Sequence, residues 1–116
     1  MIQGIHHIAI IVSNEDNVSF YRNLGFEVFK RVERQHDIVL LLSGHGVQLE
    51  IFVDGRHPQR STPEPLGVRH WALRVDDIQK TGQALGVEIE SAMNDWEGKR
   101  FCFISDPDGN IVELHE

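Results

Sequence analysis

Residues 5–12 read IHHIAIIV and residues 69–75 read RHWALRV, two apolar stretches with two histidines near the start of the first and one near the start of the second. Alternating or continuous β-branched runs of this length predict strands. Working outward, similar runs predict further strands at 26–33, 38–42, 47–53, 87–90, 101–105 and 110–115. Helical spacing and capping residues predict one helix from Ser13 or Asn14 to Gly25, and a second from Asp76 or Asp77 to Gly86.

The predicted elements run β-α-β-β-β and then repeat in the same order. His7 and His70 are 63 residues apart, as are Glu50 and Glu113. A repeat of about 60 residues indicates a duplicated unit of secondary structure. We therefore expect an α+β fold in one domain, residues 1–116. Its first module is expected at about 1–55, a proline-rich linker at about 56–67, and the second module at about 68–116.

Composition narrows the functional classes. The 116 residues carry a net charge of −7, which disfavours binding to nucleic-acid phosphates or anionic lipid. No apolar run approaches the roughly 18 residues that span a bilayer. Cys102 is the single cysteine, so an internal disulfide is impossible and a reducing, cytoplasmic compartment is expected. The expected partner is a small molecule, with no nucleic acid and no membrane.

Strand alternation places four candidate metal ligands on one side of the predicted sheets. Ile8, Ile10 and their counterparts form an apolar face, whereas the opposite face carries His7, Glu50, His70 and Glu113. A mid-strand carboxylate between apolar neighbours is costly to bury unless it is paired or bound to metal. Two imidazoles and two carboxylates suit one divalent transition metal such as Zn, Ni, Co or Mn better than Ca or Mg.

Plainer interpretations stand beside this one. Antiparallel sheets often leave one face in water, so any one of the four residues alone could be an ordinary surface side chain. Arg74 lies on the same face and could bind a substrate anion or balance the charge of Glu50 or Glu113. His115 could support the site or lie in a frayed terminus.

The chain resembles the vicinal oxygen chelate (VOC) superfamily, which includes glyoxalase I, bleomycin- and fosfomycin-resistance proteins, epimerases and extradiol dioxygenases. The resemblance rests on the ordered segments HHIAIIV, FYRNLGFEV, VQLEIF, RHWALRVDD and DPDGNIVELHE. It implies two βαβββ modules forming an open, barrel-like cleft around a metal. The positions matching the family's ligands are His7, Glu50, His70 and Glu113.

Two histidines and two glutamates are most similar to the ligand set of glyoxalase I, which implies a lyase or isomerase. The substrate would be a hemithioacetal or hydroxycarbonyl that reacts through a metal-bound enediolate. The resemblance assigns the base to Glu113, with Glu50 as a possible partner, and Arg74 to substrate binding. Bacterial glyoxalase I has Arg and Asn where this chain has Ile11 and Asp54, which argues against glutathione.

Two alternatives follow from the same family. The cleft could sequester a small molecule without turnover, as in the bleomycin-resistance fold, or support a metal-dependent thiol transferase or epimerase. Exposed sheet edges and a small core favour a homodimer. Each metal site could then be built within one chain or across two.

Overall fold

A computed structural model describes residues 1–89 and 92–116. The chain divides into two compact units, Met1–Pro58 and Gln59–Glu116. Each unit contains one four-stranded mixed sheet and helical structure between its first two strands.

The first unit has the strand order β1-β4-β3-β2, with β1 parallel to β4 and the other neighbours antiparallel. A 3-10 helix, Glu15–Asn17, precedes α1. Gly25 follows the first helix at a position where a side chain would clash with His45. The Nε2 atom of His45 donates to the Leu24 carbonyl at 2.7 Å, and a Cβ on Gly25 would lie 2.7 Å from that nitrogen. The elements are β1 Ile8–Val12, α1 Val18–Asn23, β2 Glu27–Glu33, β3 Ile38–Gly44 and β4 Val47–Val53.

The second unit repeats this arrangement with the order β5-β8-β7-β6, again with its first and last strands parallel. Asp77 caps α2 by accepting from the Lys80 backbone N–H at 2.9 Å. The Glu116 side chain accepts from another N–H of the first turn, that of Ile78, also at 2.9 Å. The elements are β5 Trp71–Arg74, α2 Ile78–Leu85, β6 Met93–Asn94, β7 Arg100–Ser105 and β8 Ile111–His115.

Each sheet has one buried and one open face. In the central strands, the residues predicted to be inward are almost inaccessible: Leu49, Ile51, Val112 and Leu114. None of the residues predicted for the opposite face is buried. The predicted division into a core face and an open face is therefore observed in both units.

Three local predictions need correction. The strand predicted at 87–90 is absent from residues 87–89, while Glu90 lies outside the described residues; the short edge strand is instead Met93–Asn94. The first helix opens as a 3-10 turn, and the Asn14 side chain makes no capping hydrogen bond. The strands predicted at 5–12 and 69–75 begin later, at Ile8 and Trp71, where their pairing with β4 and β8 starts. His7 and His70 therefore each directly precede a strand.

No helix in the described part of the chain is both long and apolar enough to cross a membrane.

Candidate functional site

The first unit brings one predicted histidine–glutamate pair together. His7 directly precedes β1, and Glu50 lies in the middle of β4, where it pairs in register with Ala9. The Nε2 atom of His7 lies 3.0 Å from Oε2 of Glu50. Both side chains retain solvent exposure, at 39% and 28%.

The second unit repeats this pair on equivalent elements. His70 directly precedes β5, and Glu113 lies in β8 opposite Ala72. The Nε2 atom of His70 lies 3.2 Å from Oε1 of Glu113. These side chains are less exposed than the first pair, at 25% and 15%. A carboxylate this enclosed is costly unless a hydrogen-bond donor or a cation accompanies it.

The donor chemistry of both pairs fits a divalent transition metal. Each pair presents an imidazole nitrogen and a carboxylate oxygen close enough to share one ion, and these donors suit Zn and its neighbours in the first transition row. Within residues 1–89 and 92–116, no group of three or more His, Cys, Asp or Glu side chains that could hold a metal was found. In each unit the two predicted ligands therefore lie together as a pair.

Arg74 lies on the open face of the second sheet, paired in register with His115. Its side chain is exposed. The described residues include no ion pair between Arg74 and a carboxylate, since Glu50 and Glu113 pair with His7 and His70.

A row of four aromatic rings, here called the aromatic row, lines the open face of the second sheet. It consists of His70, Phe103, Phe101 and His115. Adjacent ring centroids lie 5.0, 5.7 and 6.2 Å apart along the row. Phe103 lies opposite Glu113, and Phe101 lies opposite His115. The aromatic row therefore runs alongside the Glu113 carboxylate.

His115 is held at the end of this row by both of its ring nitrogens. Nε2 lies 2.7 Å from Oδ2 of Asp95, and Nδ1 lies 2.7 Å from the Glu116 carbonyl. The Asp95 carboxylate raises the pKa of His115, because both neighbours accept hydrogen bonds and so favour the ring that donates from both nitrogens. His115 is thus ordered within β8 and is not a frayed terminal residue.

The first unit carries a different group beside its pair, which sequence reasoning missed. The Arg34 guanidinium lies 5.6 Å from the centroid of Phe52, two residues from Glu50 on the same face. Asp37 binds Arg34 through two hydrogen bonds of 2.6 Å. The sequence signal for this group was the three-residue spacing of Arg34 and Asp37 across the turn between β2 and β3. That signal is weak, because many oppositely charged pairs in turns are only surface ion pairs.

Asp54 follows β4 and is a second residue whose environment only the structure reveals. Its side chain is 5% exposed. Oδ1 accepts from the backbone N–H and Nε–H of Arg56, and Oδ2 accepts from Nη2 at 2.7 Å and lies 3.2 Å from Nε2 of His57. Arg56 holds the pKa of Asp54 well below its usual range. Both carboxylate oxygens are therefore engaged within the chain.

The turn before β8 sets the position of Glu113. Oδ1 of Asp106 accepts from the backbone N–H groups of Asp108 and Asn110, at 3.0 and 2.9 Å, while its Oδ2 accepts from the Asn110 amide. Asp106 is itself buried. These bonds fix the start of β8, the strand that carries Glu113.

Comparison with known proteins identifies the family. The Glyoxalase/Bleomycin resistance protein/Dioxygenase superfamily profile matches residues 4–114. The chain is 39% identical to the uncharacterized protein YwkD of Bacillus subtilis (strain 168), over 100% of this chain and 98% of that protein. It is 37% identical to the uncharacterized protein YaeR of Escherichia coli (strain K12), over 99% and 97%.

A solved structure agrees with these matches. The glyoxalase family protein from Enterococcus faecalis has a TM-score of 0.88 and 38% identity, with 98% of each chain covered. This likeness confirms the predicted α+β fold with two β-α-β-β-β modules.

Proposed function

We propose, since the chain belongs to the Glyoxalase/Bleomycin resistance protein/Dioxygenase superfamily, that it is a metal-dependent lyase or isomerase. Its substrate class is a small molecule with two adjacent oxygens, such as a hemithioacetal or hydroxycarbonyl. The observation that carries this proposal is the repeated His–Glu pair, present at equivalent places in both units with N–O distances of 3.0 and 3.2 Å. Chance surface residues have no reason to recur in this way.

The metal would be held by the two pairs together, contributed by one chain or by two chains of a dimer. The ligands are His7, Glu50, His70 and Glu113, and the donor set favours Zn, Ni, Co or Mn. When bound, such an ion supplies Lewis-acid polarisation that acidifies the C–H beside a carbonyl. Members of the superfamily commonly use divalent metals.

The chain's own residues account for proton movement and substrate orientation. Glu113 takes the C–H proton and returns it to the neighbouring carbon, which completes a 1,2-shift. Glu113 is preferred over Glu50 because the resemblance to glyoxalase I assigns the base to it, and its side chain is the less exposed of the two, at 15% against 28%. Glu50 is a possible partner in this transfer. Arg74, exposed on the same face as Glu113, binds an anionic group of the substrate.

Glutathione is not the proposed co-substrate. Ile11 is an exposed apolar residue, and Asp54 has both oxygens bound by Arg56 and His57. An acidic, internally paired Asp54 offers no amide to a glutathione peptide group. A different thiol, or a substrate without a thiol, therefore fits this chain better.

We also propose that the protein works as a homodimer in the cytoplasm. Both sheets end in edge strands, and all seven residues of edge strand β2 are exposed, a surface that proteins commonly cover by association. The unpaired, buried Cys102 fits a reducing compartment. Sedimentation at the monomer mass would contradict the dimer.

A second candidate function is binding without turnover, because the family also contains resistance proteins. Its supporting observation is that the described residues contain only two-donor pairs and no group of three metal-binding side chains. Tight ligand binding with no product, in protein that holds no metal, would favour this candidate. Substrate profiling would distinguish the proposed lyase or isomerase from a thiol transferase or epimerase that uses the same metal.

The first experiment is elemental analysis of the purified protein by inductively coupled plasma mass spectrometry. We expect about one transition metal per complete set of four ligands, with loss of the metal in His70→Ala. His36→Ala is the matched control, because His36 is an exposed histidine of the turn between β2 and β3. That variant should keep its metal.

A wild-type protein that takes up no transition metal, even after reconstitution, would overturn the proposal and favour the binding function. A positive result leads to screening 2-oxoaldehyde hemithioacetals made with several thiols. Circular dichroism of His70→Ala establishes that metal loss does not reflect unfolding.

A further inference from the structure

We infer that the substrate carries an aromatic or similarly flat apolar group, and that this group stacks against the aromatic row beside Glu113. This inference rests on the proposed function and names the substrate class of that same site. Its starting observation is that Phe103, on the open face of the second sheet, is 45% exposed. A single exposed phenylalanine is common, but Phe103 belongs to a contiguous row of rings beside a proposed functional carboxylate, and such a contiguous apolar surface is typical of a ligand-binding site.

The position of Phe103 connects the row to the proposed metal ligands. Phe103 lies directly opposite Glu113 across the β7–β8 ladder. Its ring also meets the His70 ring edge-to-face, with centroids 5.0 Å apart. A ligand whose oxygens reach His70 and Glu113 therefore has Phe103 as an immediate neighbour, and a flat group on that ligand gains a ring contact.

The row is also fixed in place before a ligand arrives. Asp95 and the Glu116 carbonyl hold His115, whose ring is nearly parallel to that of Phe101, at 11° between planes. Phe101 in turn contacts Phe103. A surface whose rings are already ordered loses little entropy when a flat group stacks on it. Met93 extends the apolar surface beyond Phe101 on the same face.

The first unit shows that this row is not a requirement of the fold. The residue opposite Glu50 on β3 is Leu41, where the second unit has Phe103 opposite Glu113. The next position on that face is Val39, where the second unit has Phe101. The sheet therefore forms with aliphatic side chains at both positions, and the aromatic pair is particular to the second unit.

The test compares two chelators that share one pair of adjacent oxygens. Benzohydroxamate carries a phenyl ring, and acetohydroxamate carries a methyl group in its place. Binding of each is measured by calorimetry to protein loaded with the metal that elemental analysis finds. We expect benzohydroxamate to bind about three-fold to ten-fold more tightly, the range of one aromatic contact. Nuclear Overhauser effects should join the ligand ring to the Phe103 ring.

Three variants sharpen the comparison. Phe103→Ala should bring the two affinities to within about two-fold, whereas Phe103→Leu should keep part of the difference because it retains apolar volume. Leu66→Ala, which removes a fully exposed apolar side chain of the predicted linker, should leave the ratio unchanged. Metal content is measured for every variant.

The possible failures are distinguishable. Equal affinities of the two chelators in the wild type would overturn the inference and leave the proposed metal site intact. Failure of both chelators to bind would remove the proposed function and the inference with it. Phe103 ring signals that shift with protein concentration alone would show that a second copy of the chain covers the row, which also overturns the inference.

Discussion

The two units of this chain share a fold and a His–Glu pair, yet their open faces differ in the side chains around that pair. Glu50 has Leu41 and Ala9 as its strand neighbours, and Arg34 lies over nearby Phe52. Glu113 has Phe103 and Ala72, with the aromatic row alongside. Under the proposed function, the duplicated His–Glu pairs would hold the metal, and the side chains that differ between the two units would contact the substrate.

The largest expected effect is on turnover, and it should differ between the Glu113 and Glu50 carboxylates. Glu113→Gln should lower turnover of the best hemithioacetal found in the screen by about 10²–10⁴-fold, the range for removing a general base. Glu50→Gln should cost less, because Glu50 is assigned mainly to metal binding. Turnover is measured in metal-reconstituted protein and divided by metal content. A larger loss in Glu50→Gln at normal metal content would transfer the base to the first unit.

The next effect compares the cores of the two units. Ile51 and Leu114 lie in the central strands β4 and β8, and both are 0% exposed. Each substitution by Ala should lower the free energy of unfolding by about 2–5 kcal/mol, since it removes buried methyl groups and leaves a cavity. Urea unfolding followed by circular dichroism gives both values.

A single transition shifted by both variants would show that the units unfold together. If each variant displaces a different one of two transitions, the units are independent in stability. A loss below about 1 kcal/mol for either variant would contradict the packing described for that unit.

A smaller effect on stability is expected from substitutions in the two helices. Gly82 of α2 is buried, and a Cβ there would lie 2.9 Å from the Val87 carbonyl oxygen and 2.8 Å from Cδ1 of Ile89. Gly82→Ala should therefore destabilise the protein by about 1–3 kcal/mol through overpacking, despite the better helix propensity of Ala. The matched control is Ser19→Ala in α1, an exposed site expected to change stability by under about 1 kcal/mol. Thermal unfolding measures both, and a stabilised Gly82→Ala would contradict the close approach.

The smallest expected effect concerns acid stability. Arg56 depresses the pKa of Asp54, and Arg100 depresses the pKa of Glu116. A carboxyl group with a depressed folded-state pKa stabilises the fold above its unfolded pKa, about 4, and this contribution is lost as the pH falls further. His57 also faces Asp54 and adds attraction when protonated.

In Asp54→Asn, the free energy of unfolding should therefore decrease less steeply as the pH falls below about 4. Glu116→Gln should reduce this pH dependence less. The Glu116 side chain is 18% exposed against 5% for Asp54, so solvent screens its ion pair with Arg100 more strongly. Urea unfolding at a series of pH values between about 2 and 7 gives the slope of stability against pH for the wild type and each variant. An unchanged slope in Asp54→Asn would contradict the ion pair.

Local pattern was sufficient for most of the fold. The prediction of 47–53 matches β4 in both bounds, because alternation of Leu49 and Ile51 with Gln48 and Glu50 is a local property. The helix end at Gly86 was likewise predicted from the sequence, and Asp77 is one of the two caps that the sequence offered. The 87–90 prediction was wrong over 87–89 because edge-strand pairing depends on a partner, and Met93 pairs with Phe101 instead.

The sequence by itself determined the two modules and the open face of each sheet. It could do so because strand alternation and the repeat are properties of residue order. Only the tertiary structure decided the groups beside those pairs. Arg34 over Phe52, His115 between Asp95 and Phe101, and the exposed Phe103 ring all depend on strands that are distant in sequence. Their side chains meet through sheet register and rotamer packing, which residue order does not specify.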